Sequence, residues 1–276
     1  MVRREAATYV PLRCHSHYSF LDSTLSPSAL VAEAKRHGLS AVALTDTGNL
    51  HGAVEFVSAA HAAGIKPLLG AELQVEGKPL LLYAESTQGY NNLCRLLSCP
   101  AKQTADGGDD SVASQQRRPL HPGQLAEFTP GLIAVGADPK LANLFPNAFY
   151  QMVTAREMVG KFPCVAAPSI HYAKEADRQR YDILQSIRTL TLLRQQHADK
   201  RMDGRLHFRS VTEMNAGCKD HPEWLHHTRE IADRCNFAFP FGKPQSPAFV
   251  LPDGISAKKF LYRLVLQGLK TRYGKR

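Results

Sequence analysis

The sequence contains no apolar run that approaches the roughly 20 residues of a membrane-spanning helix. Its N-terminus, MVRREAATYV, lacks the apolar core of a secretory signal peptide. The six cysteines form no CxxC pair, which argues against a zinc knuckle and favours reduced, buried thiols. Together these absences predict a cytoplasmic protein without a membrane partner.

Acidic residues are scarce beside basic ones, since 25 Asp and Glu oppose 34 Lys and Arg and leave a net charge of +9. Part of the excess lies in one predicted helix near the C-terminus: Lys258, Lys259, Arg263, Lys270 and Arg272. An apolar stripe runs through the same helix: Phe260, Leu261, Leu264, Val265 and Leu269. The basic residues favour contact with DNA, whereas the apolar ones favour docking against a further domain.

Apolar runs alternate with helical patterns from Leu12 to about Tyr172, as in the strand SAVALTD and the helix HGAVEFVSAAHAAG. This alternation predicts a parallel sheet with helices outside, and both an open sheet and a closed barrel satisfy it. A polar stretch at about 101–120 predicts a mobile loop. The C-terminal third contains three helical segments, the first of which is EADRQRYDILQSIRTLTLL.

A loop rich in proline and glycine, FPFGKPQSPAFVLPDG, separates the last two helical segments. We place a domain boundary there, with one domain at 1–240 and a linker with a basic helix at 241–276.

Four short phrases carry the residues suited to chemistry: LRCHSHYSFLD, ALTDTGNLHGAVEF, GAELQV and SIHY. The first two follow apolar stretches and lead into helix-like sequence, and the ends of strands are where β/α proteins place their active sites. These phrases resemble the metal-ligand motifs of the PHP (polymerase and histidinol phosphatase) family. That family holds up to about three divalent cations, which activate water for phosphoester hydrolysis.

A second set of phrases is similar to the PHP domain of bacterial DNA polymerase III alpha subunits and of error-prone alpha-like polymerases: GIKPLLGAEL, GYNNLCRLLS, HPEWLHHTREIADRCNF and FLYRLVLQGLKTRYG. The resemblance extends from about Leu12 to Tyr273. It implies an α/β fold, a distorted (β/α)7-type TIM-like barrel followed by a short helical extension. In those polymerases the palm follows this region, so the resemblance implies that this chain does not polymerise DNA by itself.

The resemblance also implies which site residues survive. His15, Asp46, Glu72 and His171 stand where the family has metal ligands. Three expected partners are replaced, because a His-x-His motif begins with Arg13, a Thr-Asp-His motif ends with Thr47, and an Asp-x-His motif begins with Ser169.

Arginine cannot ligate a metal, and its fixed charge repels a cation and pairs with carboxylates. We therefore expect Arg13, together with Arg156 at a further ligand position, to fill the old metal space and to neutralise Asp46 and Glu72. The leading interpretation is a non-catalytic PHP domain without a cofactor, a structural or interaction module in DNA replication or translesion repair. Its expected partners are polymerase core domains, on the same or a separate chain, and a proofreading exonuclease subunit.

Two alternatives remain open. The four surviving ligands could bind one zinc or manganese ion and support a phosphoesterase or 3′–5′ exonuclease. The basic residues could instead make the chain a nucleic-acid-binding accessory protein, whose affinity would fall steeply with salt.

Overall fold

A computed structural model describes residues 9–99, 119–153, 161–202, 204–242, 249–252 and 254–274. The chain divides into two compact units, Met1–Ala238 and Phe239–Arg276. The domain boundary at 240 stays a prediction, because compactness alone does not define a part that folds by itself. The predicted mobile loop at 101–120 lies outside the described residues, apart from its last two, which form a short strand.

The first unit is built of alternating helices and strands. Before the first gap they are α1 (Pro27–Arg36), β1 (Ala41–Thr47), α2 (Ala53–Ala63), β2 (Lys66–Val75), β3 (Lys78–Ala84) and α3 (Thr87–Ser98). After it come β4 (Pro119–Leu120), α4 (Pro122–Leu125), β5 (Leu132–Gly136), β6 (Phe149–Met152), β7 (Cys164–Val165), α5 (Arg178–Thr189), α6 (Val211–Gly217) and α7 (Glu223–Arg234). Short 3-10 helices cover Ala126–Phe128, Pro139–Leu144 and Glu175–Asp177.

Helix ends follow the local sequence signals. The Ser26 side chain accepts a hydrogen bond from the first turn of α1, and Gly64 ends α2 in a left-handed conformation with φ of 71°. The predicted helix EADRQRYDILQSIRTLTLL is shorter than expected. It ends at Thr189 because Leu190 takes φ of 51°, which turns the chain out of the helix.

One sheet runs in the order β1-β2-β3-β5-β6-β7, with β4 beside β2. The expectation of a wholly parallel sheet is wrong at β3, which is antiparallel to both β2 and β5. The reason is the two-residue connection Glu76–Gly77, whose positive φ values of 48° and 75° make a tight hairpin. A parallel crossover needs a far longer connection.

The extended segment 10–15 closes the sheet into a ring. On one side its carbonyl oxygens accept hydrogen bonds from β1, at Ala43 and Thr45. On the other side His15 N–H donates to Ile170 O at 3.0 Å, and Ile170 N–H donates to Arg13 O at 2.9 Å. The fold is therefore the distorted TIM-like barrel that the resemblance implied.

Two apolar cores lie on the two faces of this sheet. One joins alternate strand residues such as Leu81 and Tyr83 to Ile231 on α7, and the other packs Leu80 and Leu82 against α3. In the second unit, helix α8 (Ala257–Tyr273) has Ser256 as its N-cap. Across the described residues, no helix combines the length and apolar character needed to cross a membrane.

Candidate functional site

The fold brings the four predicted ligand residues to one end of the barrel. His15 ends the closing segment, Asp46 and Glu72 lie near the ends of β1 and β2, and His171 follows β7. All four are at most 1% exposed. Parallel neighbours end at the same edge of a sheet, which is why residues distant in sequence meet here.

Glu72 is bound by a guanidinium. Arg13 Nε and Nη2 each donate to one carboxylate oxygen of Glu72 at 2.6 Å, which is a bidentate pair. The third nitrogen, Arg13 Nη1, lies 3.9 Å from Met152 Sδ. Both oxygens of Glu72 are thus engaged by a group that cannot be displaced without exposing a buried charge.

Asp46 is held by serines instead of arginine. Its Oδ1 accepts hydrogen bonds from Ser16 N–H and Ser19 Oγ, both at 2.6 Å, and its Oδ2 accepts one from Ser16 Oγ at 2.7 Å. The expected neutralisation of Asp46 by Arg13 is therefore replaced by three hydrogen bonds from a loop that follows the closing segment.

The two histidines stack on each other, with ring centroids 4.4 Å apart and planes 7° from parallel. His15 Nε2 lies 3.1 Å from Glu72 Oε2, although outside hydrogen-bond geometry. His171 Nε2 contacts Ser169 Oγ at 2.6 Å and Arg201 Nη1, and its Nδ1–H donates to Asp22 O. Both ring nitrogens of His171 are thus engaged by protein groups.

A second cluster surrounds Asp22, which is 1% exposed. Arg188 Nη1 donates to Asp22 Oδ1, Tyr181 Oη donates to the same oxygen at 3.2 Å, and Arg201 Nη2 lies 3.5 Å from Oδ2. Arg201 joins the two clusters, because it also contacts His171. Asp22 therefore anchors side chains from α5 and from the segment that follows it.

Charge and burial set the protonation of the site. Burial alone would raise the pKa of Glu72, but the charges of Arg13 and His15 hold this pKa well below its ordinary value. Burial and the nearby charges of Arg201 and His15 lower the pKa of His171 well below that of a free imidazole. Burial opposes the charge of Arg201, yet Asp22 and Tyr181 raise the Arg201 pKa.

The side chains around the two histidines bring three carboxylates and three guanidinium groups together: Asp22, Asp46 and Glu72 with Arg13, Arg188 and Arg201. His171 is held neutral by its lowered pKa. The carboxylate and guanidinium charges therefore balance without an added cation, and the His15 charge that acts on Glu72 and His171 adds to the positive side. A site that attracts a divalent ion keeps an excess of anionic or neutral-nitrogen ligand atoms, which this arrangement does not leave.

The residues do not fit a resident metal in this arrangement. Within the described ranges, no group of three or more His, Cys, Asp or Glu side chains could hold a metal ion. Glu72, Asp46 and His171 already use their ligand atoms in the contacts above. We therefore derive no chemical step through a metal.

Sequence reasoning missed the cluster at Asp22. Its partners Arg188 and Arg201 lie 166 and 179 positions away along the sequence, and no local pattern links them. Arg156, the second arginine expected in the pocket, lies outside the described residues.

Comparisons with known proteins agree with the fold. The model of the PHP domain matches residues 11–155. Because this span exceeds half of the 276 residues, the chain belongs to the PHP domain family.

Its relatives include much longer polymerases. DNA polymerase III subunit alpha of Bacillus subtilis (strain 168) is 28% identical over 310 residues, covering 97% of this chain and 26% of that protein. The error-prone DNA polymerase of Symbiobacterium thermophilum is 30% identical over 313 residues, covering 97% of this chain and 29% of that protein. The chain thus spans only about a quarter of the length of these relatives.

A solved structure from Bifidobacterium adolescentis, described as that of a metal-dependent phosphoesterase, is 15% identical. It matches 75% of this chain and 95% of its own, with a TM-score of 0.32.

Breaking the Arg13–Glu72 pair on one side should destabilise the protein strongly. We expect Arg13→Met to lower the free energy of unfolding by about 3–5 kcal/mol, because Glu72 would remain as an unpaired buried charge. The double variant Arg13→Met/Glu72→Leu should recover most of that loss, since two apolar side chains can replace a buried pair. Urea denaturation followed by circular dichroism measures both.

Lys78→Met provides the control, because it removes an exposed partner, 55% accessible, from the Lys78–Asp138 pair. It should change the free energy of unfolding by less than about 1 kcal/mol. A destabilisation by Arg13→Met no larger than this control would contradict the buried pairing.

The lowered pKa of His171 predicts acid sensitivity. Below pH ~6.5 the imidazole of His171 is protonated in the unfolded chain but not in the folded protein. Because the unfolded state binds the extra proton, the free energy of unfolding decreases as the pH is lowered. The loss continues until the pH reaches the folded pKa of His171. Glu72 adds a second loss below pH ~4.5, as the pH approaches its own lowered pKa.

Urea denaturation of chelator-treated protein between pH 7 and pH 5 measures this effect as a slope. In His171→Gln the slope should be smaller, by an amount that rises as the pH falls and approaches about 1.4 kcal/mol per pH unit near pH 5, the linkage value for one proton. Equal slopes in the two proteins would show that His171 titrates normally when folded.

Proposed function

We propose that this chain is a non-catalytic PHP domain of the polymerase III alpha type, which serves as a structural and interaction module in DNA replication or translesion repair. The observation that carries the proposal is the bidentate pairing of Arg13 with Glu72 at 2.6 Å. A guanidinium placed in this way lies against both oxygens and repels a cation from them. A cytoplasmic location follows from this role and stays a prediction.

Three further contacts support the absence of catalysis. Both carboxylate oxygens of Asp46 accept hydrogen bonds from Ser16 or Ser19, and Arg201 contacts the Nε2 atom of His171. Water activation by a metal needs an open coordination position as well as ligands. The alternative of a zinc- or manganese-dependent phosphoesterase or exonuclease would require at least two of these side chains to leave their partners.

The expected partner is a set of polymerase core domains, and helix α8 is the surface that we assign to it. Within the described part of its own unit, α8 buries none of its residues. Leu261 is 62% exposed, and Leu264, Val265 and Leu269 are each about half exposed. At 100° per residue, the apolar side chains of α8 span about 240° of its circumference, an arc typical of a helix that is buried between protein layers.

Three of the five basic side chains of α8 form a much narrower stripe, whereas Lys258 and Arg272 lie within the apolar arc. Lys259, Arg263 and Lys270 lie within about 40° of one another around the helix axis. Contact with DNA through this stripe would leave the wide apolar arc in water, so the DNA-binding alternative explains less of the helix. A proofreading exonuclease subunit as a further partner is a prediction from the family resemblance alone.

Metal analysis tests the absence of catalysis. Protein purified without chelator, and then incubated with zinc or manganese and desalted, should carry no stoichiometric metal by plasma emission spectroscopy. It should not hydrolyse bis(p-nitrophenyl) phosphate. Cleavage that disappears both with chelator and in Asp46→Asn would overturn the proposal in favour of the phosphoesterase.

A restored variant shows that the assay can detect a metal. Arg13→His/Thr47→His/Ser169→Asp returns three ligand types that the family motifs carry, and it removes the guanidinium from Glu72. We expect this variant to retain zinc where the natural protein does not, because four-coordinate sites form readily from histidine and carboxylate ligands.

Hydrogen exchange tests the role of α8. Amides of an unpartnered helix exchange through local opening that costs little free energy, whereas a packed helix is protected. We expect α8 to exchange quickly in this chain alone and at least about a hundredfold more slowly with polymerase core domains present. Leu264→Lys/Val265→Lys should remove that protection, whereas Gln267→Lys, which lies beside the basic stripe, should not. Equal exchange of α8 with and without the core would reject this surface.

A further inference from the structure

The exposed apolar surface of the barrel unit is concentrated in one place. Within the described part of this unit, eight large apolar side chains are exposed, and six of them lie between residues 183 and 202. We call these six the 183–202 patch: Ile183, Ile187, Leu190, Leu192, Leu193 and Met202. Leu190 is 94% exposed and Leu192 is 78% exposed. Clustered exposure of this kind marks interaction sites, whereas single exposed leucines do not.

The patch begins on a helix and continues onto a loop. Ile183, Ile187 and Leu190 follow an i, i+4, i+7 spacing along α5 and its C-cap, which places them on one face. At Leu190 the left-handed turn sends the chain into the loop 191–202, which adds Leu192 and Leu193. The same three-anchor spacing is what helices present when they dock into grooves of other proteins.

The loop is held from its inner side by cationic side chains. Lys200 is only 7% exposed, and its Nζ donates to Leu192 O at 2.7 Å and to Gln195 O at 3.1 Å. Arg188 donates to Asp199 O, and Arg178 Nη2 donates to Met202 O at 2.7 Å. These cationic side chains therefore lie on the inner side of the loop 191–202 and its leucines on the outer side, the reverse of the usual distribution in a soluble protein.

These contacts hold the 183–202 patch in one conformation in the unbound protein. Arg188 and Arg201 are anchored in turn on buried Asp22, so the loop is tied to the barrel as well as to itself. A surface that is already ordered loses less conformational entropy on binding, which favours affinity.

The charge of the patch selects the chemistry of its partner. Of the charged side chains in residues 183–202, Arg188, Lys200 and Arg201 point inward to the contacts above, which leaves Arg194 and Asp199 at the surface. Arg194 is exposed directly after Leu193, and Arg180 is exposed at the start of the same helix. Two copies that met through Arg180 and Arg194 would bring like charges together, which disfavours self-association.

We propose that the 183–202 patch is a docking site for an acidic amphipathic helix of another protein. The leucines and isoleucines would pack against the apolar face of that helix, and the exposed Arg180 and Arg194 would face its carboxylates. The proposal rests on exposure, loop anchoring and charge, and it holds whether or not the barrel binds a metal.

A designed peptide tests the proposal directly. The probe is a fluorescein-labelled amphipathic helix about 20 residues long, with leucine at i, i+3, i+4 and i+7 and glutamate on its other face. A second peptide carries lysine in place of each glutamate. Fluorescence anisotropy is measured with the whole chain at low and high salt, and sedimentation velocity of the chain alone reports self-association.

Matched variants localise the binding. Ile187→Glu places a carboxylate at a 56% exposed position of α5, and Val54→Glu does the same at a 53% exposed position of α2. We expect Ile187→Glu and Leu192→Glu to weaken binding of the acidic peptide at least about tenfold. Val54→Glu should bind as tightly as the natural protein, and this difference from Ile187→Glu excludes attraction by the basic helix α8 as the cause.

The binding and sedimentation results either support or overturn the proposal. Binding of the acidic peptide that is absent for the lysine peptide, weakened by salt and lost in Ile187→Glu supports the proposal. Equal binding of both peptides, no binding, or no difference between Ile187→Glu and Val54→Glu overturns it. Self-association of the chain that Ile187→Glu abolishes would also overturn it, because the occupant would then be a second copy.

Discussion

The buried ion pair between Arg13 and Glu72 is the interaction on which the barrel mouth depends. Glu72 is almost fully buried, and its lowered pKa keeps it charged, so a compensating positive charge is obligatory at that place. The protein supplies this charge from its own chain, two residues before His15. Because a guanidinium also fills space and directs its N–H groups along fixed lines, it sets the geometry around Glu72 in a way that a hydrated ion does not.

The neighbouring cluster extends the same principle to the rim of the barrel. Asp22 draws Arg188 and Arg201 inward, and these residues carry the helix and loop whose outer side chains are apolar. The same segment, α5 with the loop 191–202, thus directs charged side chains to the interior and apolar side chains to the surface. In the function that we propose, the residues over the mouth of the barrel serve for support and recognition beside a polymerase.

Much of this arrangement was readable in the sequence, because strands, helix caps and the strand-end position of His15, Asp46, Glu72 and His171 follow from local patterns and from the family resemblance. The charge of Arg13 also pointed to a carboxylate partner, while its effect on metal binding stays a prediction. The antiparallel β3 was missed although Glu76–Gly77 is a turn signal, since the βα rhythm on either side outweighed it. The partners of Asp22 were beyond reach, because their meeting is decided by tertiary packing alone.

The closure of the barrel by segment 10–15 has a consequence for how the chain acquires its structure. Its bridge from Cys14 to Ile170 encloses more than half of the chain, so the entropy of closing that long loop must be overcome before the ring is complete. Glu72 and its partner Arg13 are 59 positions apart along the sequence, whereas Asp22 and its partner Arg188 are 166 positions apart. The Arg13–Glu72 pair therefore needs only the first quarter or so of the polypeptide, whereas the Asp22–Arg188 pair needs about two thirds of it.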